Sequence, residues 1–347
     1  MTEIKTTDVN KDLSQKMENG LSGHAFAKVN LFLHVTGKRP DGLHLLDSLV
    51  VFAGIGDSLR LLPDPQVSLK INGPFADVLK TEPNNIILKA FRLLQDYLSS
   101  GRVMRGGQIT LTKRLPVSSG IGGGSSDAAT MMKLCAQLWE MQFNPVEWRQ
   151  MGLSLGADVP VCLAGQPRRM QGIGELLFKT PAIPPCWLVL VNPLVAVPTA
   201  AVFKQRQHQA FSPPAIPFPE EGWANAQVFA DYLKSCRNDL MVPALELQPV
   251  IVGVLQALQK TSSLLNRMSG SGATCWGLFA HEGEARQAAA ALSTKYRDWW
   301  VAAAPVLDNT DTPALDGNQY VSGEAVTNQL GIKEKSPAQR KHARISG

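Results

Sequence analysis

From Leu115 the chain reads Leu-Pro-Val-Ser-Ser-Gly-Ile-Gly-Gly-Gly-Ser-Ser-Asp-Ala-Ala, ending at Ala129. Ser118 to Ser126 alone hold four glycines and four serines. A backbone this bare approaches a ligand closely and points several N–H groups into one concavity. Behind it, Ala128, Met131, Met132, Cys135, Leu138 and Trp139 recur at helical spacing on one apolar face. Ahead of it, Gln108-Ile109-Thr110-Leu111-Thr112 alternates like a strand. A glycine-serine run that joins a strand to a helix is placed to hold an anion, because the helix start carries unpaired N–H groups and the positive end of the dipole. Ser125 or Ser126 is the expected N-cap. No Gly-Lys-Ser/Thr closes the run as in a Walker A loop, and Gly120-x-Gly122-x-x-Ser125 lacks the third glycine of the dinucleotide fingerprint. The expected ligand is the phosphates of a nucleotide held in another way.

Other elements must position that loop. Ala25 to Val35 begins in alternation and becomes richly apolar, which predicts a strand. Lys28 is unusual inside it. Arg39-Pro40-Asp41-Gly42 has the chemistry of a type I turn. Asn85–Leu98, Pro145–Leu155 and Val250–Leu258 are predicted helices, and Cys186–Val191 is a short buried strand. Ser212 to Gly222, with Pro213, Pro214, Pro217 and Pro219, is a stiff loop. Arg267–Thr274 is a second glycine-serine turn leading into a strand at Cys275–Phe279. This mixture predicts an α+β fold in two halves that divide near residue 170. Residues 1–23 read as a disordered leader, and the stretch from 308 to 347 as a polar tail, basic from Lys333 to Arg344.

With 347 residues, 44% of them hydrophobic and 18% charged, the chain can build two cores. A net charge of +5 suits an anionic small molecule and does not call for nucleic acid. Cys135, Cys162, Cys186, Cys236 and Cys275 are widely spaced, odd in number and free of Cys-x-x-Cys, so zinc and disulfides are not expected. Cys162 and Cys275 read as core packing. His24, His34, His208, His281 and His342 share no metal-ligand spacing. No apolar run approaches the ~18 residues of a membrane helix. The acidic residues Glu3, Asp8, Asp12 and Glu18 do not fit a signal or transit peptide, which leaves the cytoplasm as the expected location.

Three segments, in this order, resemble the motifs of the GHMP kinases, the galacto-, homoserine, mevalonate and phosphomevalonate kinase superfamily. They are Ala27-Lys28-Val29-Asn30-Leu31, Leu115–Ala129 and Met268-Ser269-Gly270-Ser271-Gly272-Ala273-Thr274. Gly37–His44, Leu155-Gly156-Ala157-Asp158-Val159-Pro160 and Asn238-Asp239-Leu240 are similar to the branch of that family acting on a cytidine diphosphate-linked methylerythritol. The resemblance runs from about residue 24 to about 306.

The resemblance implies a two-domain GHMP fold, with an ATP-binding domain over 24–170, a substrate-binding domain over 171–307 and the active site in the cleft between them. It implies transfer of the ATP γ-phosphoryl group to the 2-hydroxyl of that small molecule, in the non-mevalonate supply of isoprenoid precursors, with magnesium present. Lys28 and Asp158 would be the catalytic pair. Pro116, Val117, Ser118, Ser119, Gly120, Ile121, Gly122, Gly123, Gly124, Ser125 and Ser126 would wrap the triphosphate. Asn30, His44, Thr199 and Phe203 would hold the substrate, and the magnesium ligands stay open between Ser126 and the phosphates with water. No nucleic acid, membrane or obligatory protein partner is implied. The position before His44 is usually aromatic in this branch, and here it is Leu43.

Each residue has a plainer alternative. Asp158 before Val-Pro could cap a turn, Lys28 could be a solvated strand residue, and His44 a surface histidine. Ser269–Gly272 could serve only to turn the chain near the nucleotide. A homoserine- or mevalonate-type kinase is disfavoured by Gly122–Asp127 and His44. A non-catalytic nucleotide-binding protein of the same fold is disfavoured by the presence of both Lys28 and Asp158.

Overall fold

The computed structural model describes residues 20–79, 84–98 and 106–308. Its frame is a pair of long antiparallel strands, β1 (Leu21–Lys38) and β2 (His44–Asp64). The expected turn joins them, with Gly42 N donating to the Arg39 carbonyl at 3.0 Å. β1 opens at Leu21, inside the segment read as leader, because Leu21 and Ala25 are buried in the first apolar core. The leader up to residue 19 and the tail from 309 lie outside the described residues.

β3 (Val67–Asn72) runs parallel to β4 (Gly106–Thr112), and β4 pairs antiparallel with β2. β2 also carries β5 (Arg168–Gly172), which pairs with β6 (Leu176–Lys179). The division expected near residue 170 therefore falls inside a strand that its hydrogen bonds tie to the first half. A second antiparallel group comprises β7 (Trp187–Asn192), β8 (Leu265–Met268), β9 (Cys275–Phe279) and β10 (Trp300–Leu307). The two groups join where the end of β10 pairs with β2, Val306 opposite Ala53 and Leu307 opposite Phe52, giving the order β3-β4-β2-β10-β7-β9-β8.

Helices α1 (Ala76–Leu79), α2 (Ile86–Asp96), α3 (Gly123–Leu138), α4 (Pro145–Leu155) and α5 (Val159–Ala164) belong to the first half. The second half carries α6 (Thr199–Gln205), α7 (Ala226–Lys234), α8 (Met241–Leu247), α9 (Val250–Gln259) and α10 (Glu282–Lys295). Spacing explains α2, which buries Ile87, Ala90, Phe91 and Leu94, while its cap Asn85 accepts from Ile87 N at 2.9 Å. Capping explains α4, where Asn144 and Glu147 form a reciprocal box around Pro145. All five cysteines are buried and free, Cys162 in the first core and Cys275 in the third. Among the described residues no helix is long and apolar enough to cross a membrane.

β1 threads every core. Leu21 and Ala25 enter the first, Ala27, Val29, Leu31 and Phe32 the second, and Leu33 and Val35 the third.

Candidate active site

The glycine-serine run leads into α3 as expected, but the cap differs. Gly122 is the N-cap, in the left-handed conformation at φ +60°, and no side chain caps the helix. Ser126 instead donates its hydroxyl to the Phe26 carbonyl at 2.7 Å, and its Oγ lies 3.3 Å from Cys162 Sγ. Buried in this way, it does not line the cavity beside the loop. The first helical bond runs from Ser126 N to the Gly122 carbonyl at 2.8 Å, so the N–H groups of Gly123, Gly124 and Ser125 precede the helical ladder. These three residues line a cavity of about 580 Å³.

The cavity is also lined by Lys28, Asn30, Asp158, Thr199 and Phe203, which collects most of the residues implied by the resemblance. Pro116, Val117, Ser118, Ser119 and Gly120 complete the wall on the loop side. Ile121 does not face it, because its side chain packs in the second core while its carbonyl accepts from Lys28 N at 2.9 Å. Gly120 needs to be glycine. At φ +77°, a Cβ there would meet the Ser269 carbonyl at 2.6 Å.

That close approach is the work of the second glycine-serine turn. Ser269 Oγ donates to the Gly120 carbonyl at 2.8 Å and accepts from Asn30 N at 3.0 Å. Thr274 N donates to the Ser119 carbonyl at 3.0 Å. Asn238 Nδ2 holds the turn from below, donating to the carbonyls of Met268 and Gly270 at 2.8 Å each. The turn thus braces the loop against β1.

Lys28 is buried, and its Nζ donates to Asn30 Oδ1 and pairs with Asp158 Oδ2, both at 2.9 Å. Asn30 is fixed in turn by donating Nδ2 to Ser48 Oγ at 2.7 Å. Asp158 stands at the start of α5, and its side chain makes no cap bond. It is 37% exposed, facing the cavity with its partner sealed behind it. The turn-cap and solvated-lysine alternatives both fail on these contacts.

At the other end, Thr199 Oγ1 and Ser271 Oγ lie 2.8 Å apart. The rings of His44 and Phe203 stack, with centroids 4.6 Å apart and planes 22° from parallel. His44 has its pKa lowered by burial and then by the charges of Lys38 and Arg206, which favours neutral imidazole. Leu43 beside it is 48% exposed.

One cluster went unread in the sequence. Lys113 Nζ lies 2.6 Å from both Asp57 Oδ2 and Asp127 Oδ2, and all three side chains are buried. Asp57 Oδ1 also accepts from the backbone N–H groups of Arg114 and Leu115. Burial opposes the Lys113 ammonium, but Asp127 and Asp57 outweigh it and keep its pKa above the ordinary lysine value. The charged residue ahead of the loop and the aspartate in Ser125-Ser126-Asp127 were the available signals, with nothing to pair them.

The cradle fits a triphosphate, with unpaired N–H groups at the start of a 16-residue helix, no acidic residue in its first turn and no neighbour nearer than 3.8 Å to a Cβ at Gly124. Comparison with known proteins gives the family. Residues 85–166 match the GHMP kinases N terminal domain and residues 225–298 the GHMP kinases C terminal domain. A 4-diphosphocytidyl-2-C-methyl-D-erythritol kinase of Paramagnetospirillum magneticum is 51% identical over 282 residues, covering 81% of this chain and 96% of that protein. The chain belongs to the 4-diphosphocytidyl-2-C-methyl-D-erythritol kinases of the GHMP superfamily. It is a phosphotransferase. A kinase with the same name from Ruegeria pomeroyi is 49% identical over 289 residues, covering 83% of this chain and 99% of that one. A crystal structure of a 4-(cytidine 5'-diphospho)-2C-methyl-D-erythritol kinase superposes with a TM-score of 0.67 at 30% identity, covering 82% of this kinase and 99% of the other. A homoserine kinase of Cytophaga hutchinsonii shares the fold, with a TM-score of 0.57 at 17% identity and coverage of 82% and 94%.

Proposed function

We propose that this kinase transfers the γ-phosphoryl group of ATP to the 2-hydroxyl of 4-diphosphocytidyl-2-C-methyl-D-erythritol, a step in the non-mevalonate supply of isoprenoid precursors. The observation that carries the reading is the Lys28–Asp158 pair, set in one cavity with the uncapped start of α3.

Phosphoryl transfer through a loose transition state needs positioning and charge stabilisation more than covalent help. The loop from Pro116 to Ser125 orients the triphosphate through backbone N–H groups. Magnesium, when bound, would screen the charge of the phosphate oxygens. Lys28 stabilises charge developing on the transferred group and, fixed by Asn30, aims Asp158. Asp158 accepts the substrate hydroxyl proton as the new P–O bond forms, since a carboxylate is too weak a base to ionise an alcohol beforehand. Thr199, with Ser271, borders the acceptor side. His44 and Phe203 hold the cytosine, which requires their stacked rings to part, and Leu43 supplies an apolar edge in place of an aromatic one.

The test is ADP release with diphosphocytidyl-methylerythritol, mevalonate and homoserine in parallel. Turnover with the first alone is the expected outcome, turnover with another reassigns the substrate, and none with any of them overturns the reading.

A further inference from the structure

Against the first turn of α3 lies a charged cluster that the proposed transfer does not use. Lys113 Nζ holds Asp57 Oδ2 and Asp127 Oδ2 at 2.6 Å each, three buried groups from β2, from the residue that follows β4 and from α3. A Cβ on Gly123 would lie 3.1 Å from that Nζ, so the cluster abuts the turn whose N–H groups face the cavity. Lys113 and Asp127 themselves line the cavity. Asp57 has both oxygens engaged, whereas Asp127 Oδ1 is buried without a hydrogen-bond partner. One ammonium against two ionised carboxylates leaves one uncompensated negative charge where a triphosphate must bring several more.

We propose that Asp127 takes up a proton when a nucleoside triphosphate binds at this loop, so that the bound enzyme carries a neutral Lys113–Asp57–Asp127 cluster. The inference rests on reading Ser118–Ser125 as the triphosphate cradle. Asp127 then acts as a positioning residue, because the charge it gives up decides how closely the phosphates settle on α3.

The charged and titratable groups on the elements packed against α3 include Asp57 from β2, Lys28 and His24 from β1, and Asp158 and Cys162 at α5, with Lys113 just past β4. Lys89, Arg92 and Asp96 of α2 are exposed, Glu147 and Arg149 lie at the start of α4, and α3 adds Lys133. Lys113 and Asp57 act on the carboxyl directly. Burial first, and then the like charge of Asp57, push it up to about 7 against the pull of Lys113, so the proton is exchangeable at neutral pH. Added phosphate charge favours the protonated form further, and the protonated buffer in solution supplies the proton.

The experiment is calorimetric titration of the full chain with adenylyl imidodiphosphate and magnesium, in two buffers of different ionisation enthalpy. At about pH 8 the wild type is expected to take up close to one proton beyond the analogue's own uptake, and Asp127→Asn close to none. Above neutrality the wild-type Kd divided by that of Asp127→Asn should rise by up to about tenfold per pH unit, the limit for one linked proton. The analogue's own titration is common to both proteins and cancels. Should the variant not fold, wild-type uptake beyond that of the analogue titrated without protein decides the same point. Binding with equal proton uptake in both proteins overturns this inference alone. No binding by either protein overturns the cradle, and this inference with it.

Discussion

The Lys28 ammonium, sealed in the protein, meets the Asp158 carboxylate at 2.9 Å just where that carboxylate opens to the cavity. The second bond from Lys28 to Asn30 fixes the ammonium, so the aspartate is oriented from the buried side and free to act on the open one. Removing its charge should stop chemistry while leaving the loop intact. Asp158→Asn is expected to lower kcat by about 10²–10⁴-fold with little change in the KM for ATP. Steady-state kinetics checks this, and wild-type turnover would remove Asp158 as the base.

The exposed Leu43 beside the His44–Phe203 stack predicts a gain. Stacking of a base on an aromatic is worth roughly 1–3 kcal/mol, or about 5–150-fold in binding. Leu43→Tyr should lower the KM for the cytidine substrate, and Phe203→Ala should raise it. An unchanged KM in Leu43→Tyr would mean that the leucine already completes the site.

Two glycines of the loop should respond differently to alanine. Gly122 is at φ +60°, and a Cβ there would lie 2.9 Å from Lys28 Cε. Gly122→Ala is expected to cost about 1–2 kcal/mol of stability from the backbone alone, and to lower kcat by displacing Lys28. Gly124 lies within α3, with its nearest neighbour 3.8 Å from a Cβ. Gly124→Ala should add up to about 1 kcal/mol of stability through helix propensity while raising the KM for ATP, because the new methyl group enters the cradle. Thermal melts beside ATP kinetics separate the two.

The carboxyl of Asp127 also makes stability depend on pH. Unfolded, it ionises near the usual ~3.9; folded, burial and the neighbouring Asp57 delay this to about 7. Across that window the folded state keeps a proton that the unfolded state has lost, so the cost of ionising it accumulates as pH rises. Asp127→Asn carries no such cost. The Tm of the variant minus that of the wild type should therefore be more positive at about pH 8 than at about pH 5. A difference that does not move with pH counts against the shift.

Local signals were readable where the physics is local. The apolar spacing of α2 and the helix expected from Pro145 to Leu155 appear in the fold as the residues predict, while the Asn144–Glu147 box that starts α4 was not read. The cap of α3 was not readable. Ser126 has the right chemistry for an N-cap, but the Phe26 carbonyl, distant in sequence, takes its hydroxyl, and a left-handed Gly122 ends the turn instead. The Lys113 cluster was hidden for a related reason. Ser58 pairs with Thr112 across β2 and β4, and this register brings the preceding Asp57 beside Lys113. β5 likewise looked like a boundary because its attachment to β2 is made only by folding. Lys28 and Asp158 each offered a plain alternative alone, and the family pattern linked them before the geometry did.

The strand that enters all three cores has a mechanical consequence. At ~3.3 Å per residue, the 18 residues of β1 form one girder on the order of 60 Å long, hydrogen-bonded to β2 along its length. A cleft built on a shared girder cannot open and shut like a clamshell without tearing that ladder. On the proposed reading, recognition would use a preformed vise, with side chains such as the paired rings of His44 and Phe203 as its moving parts.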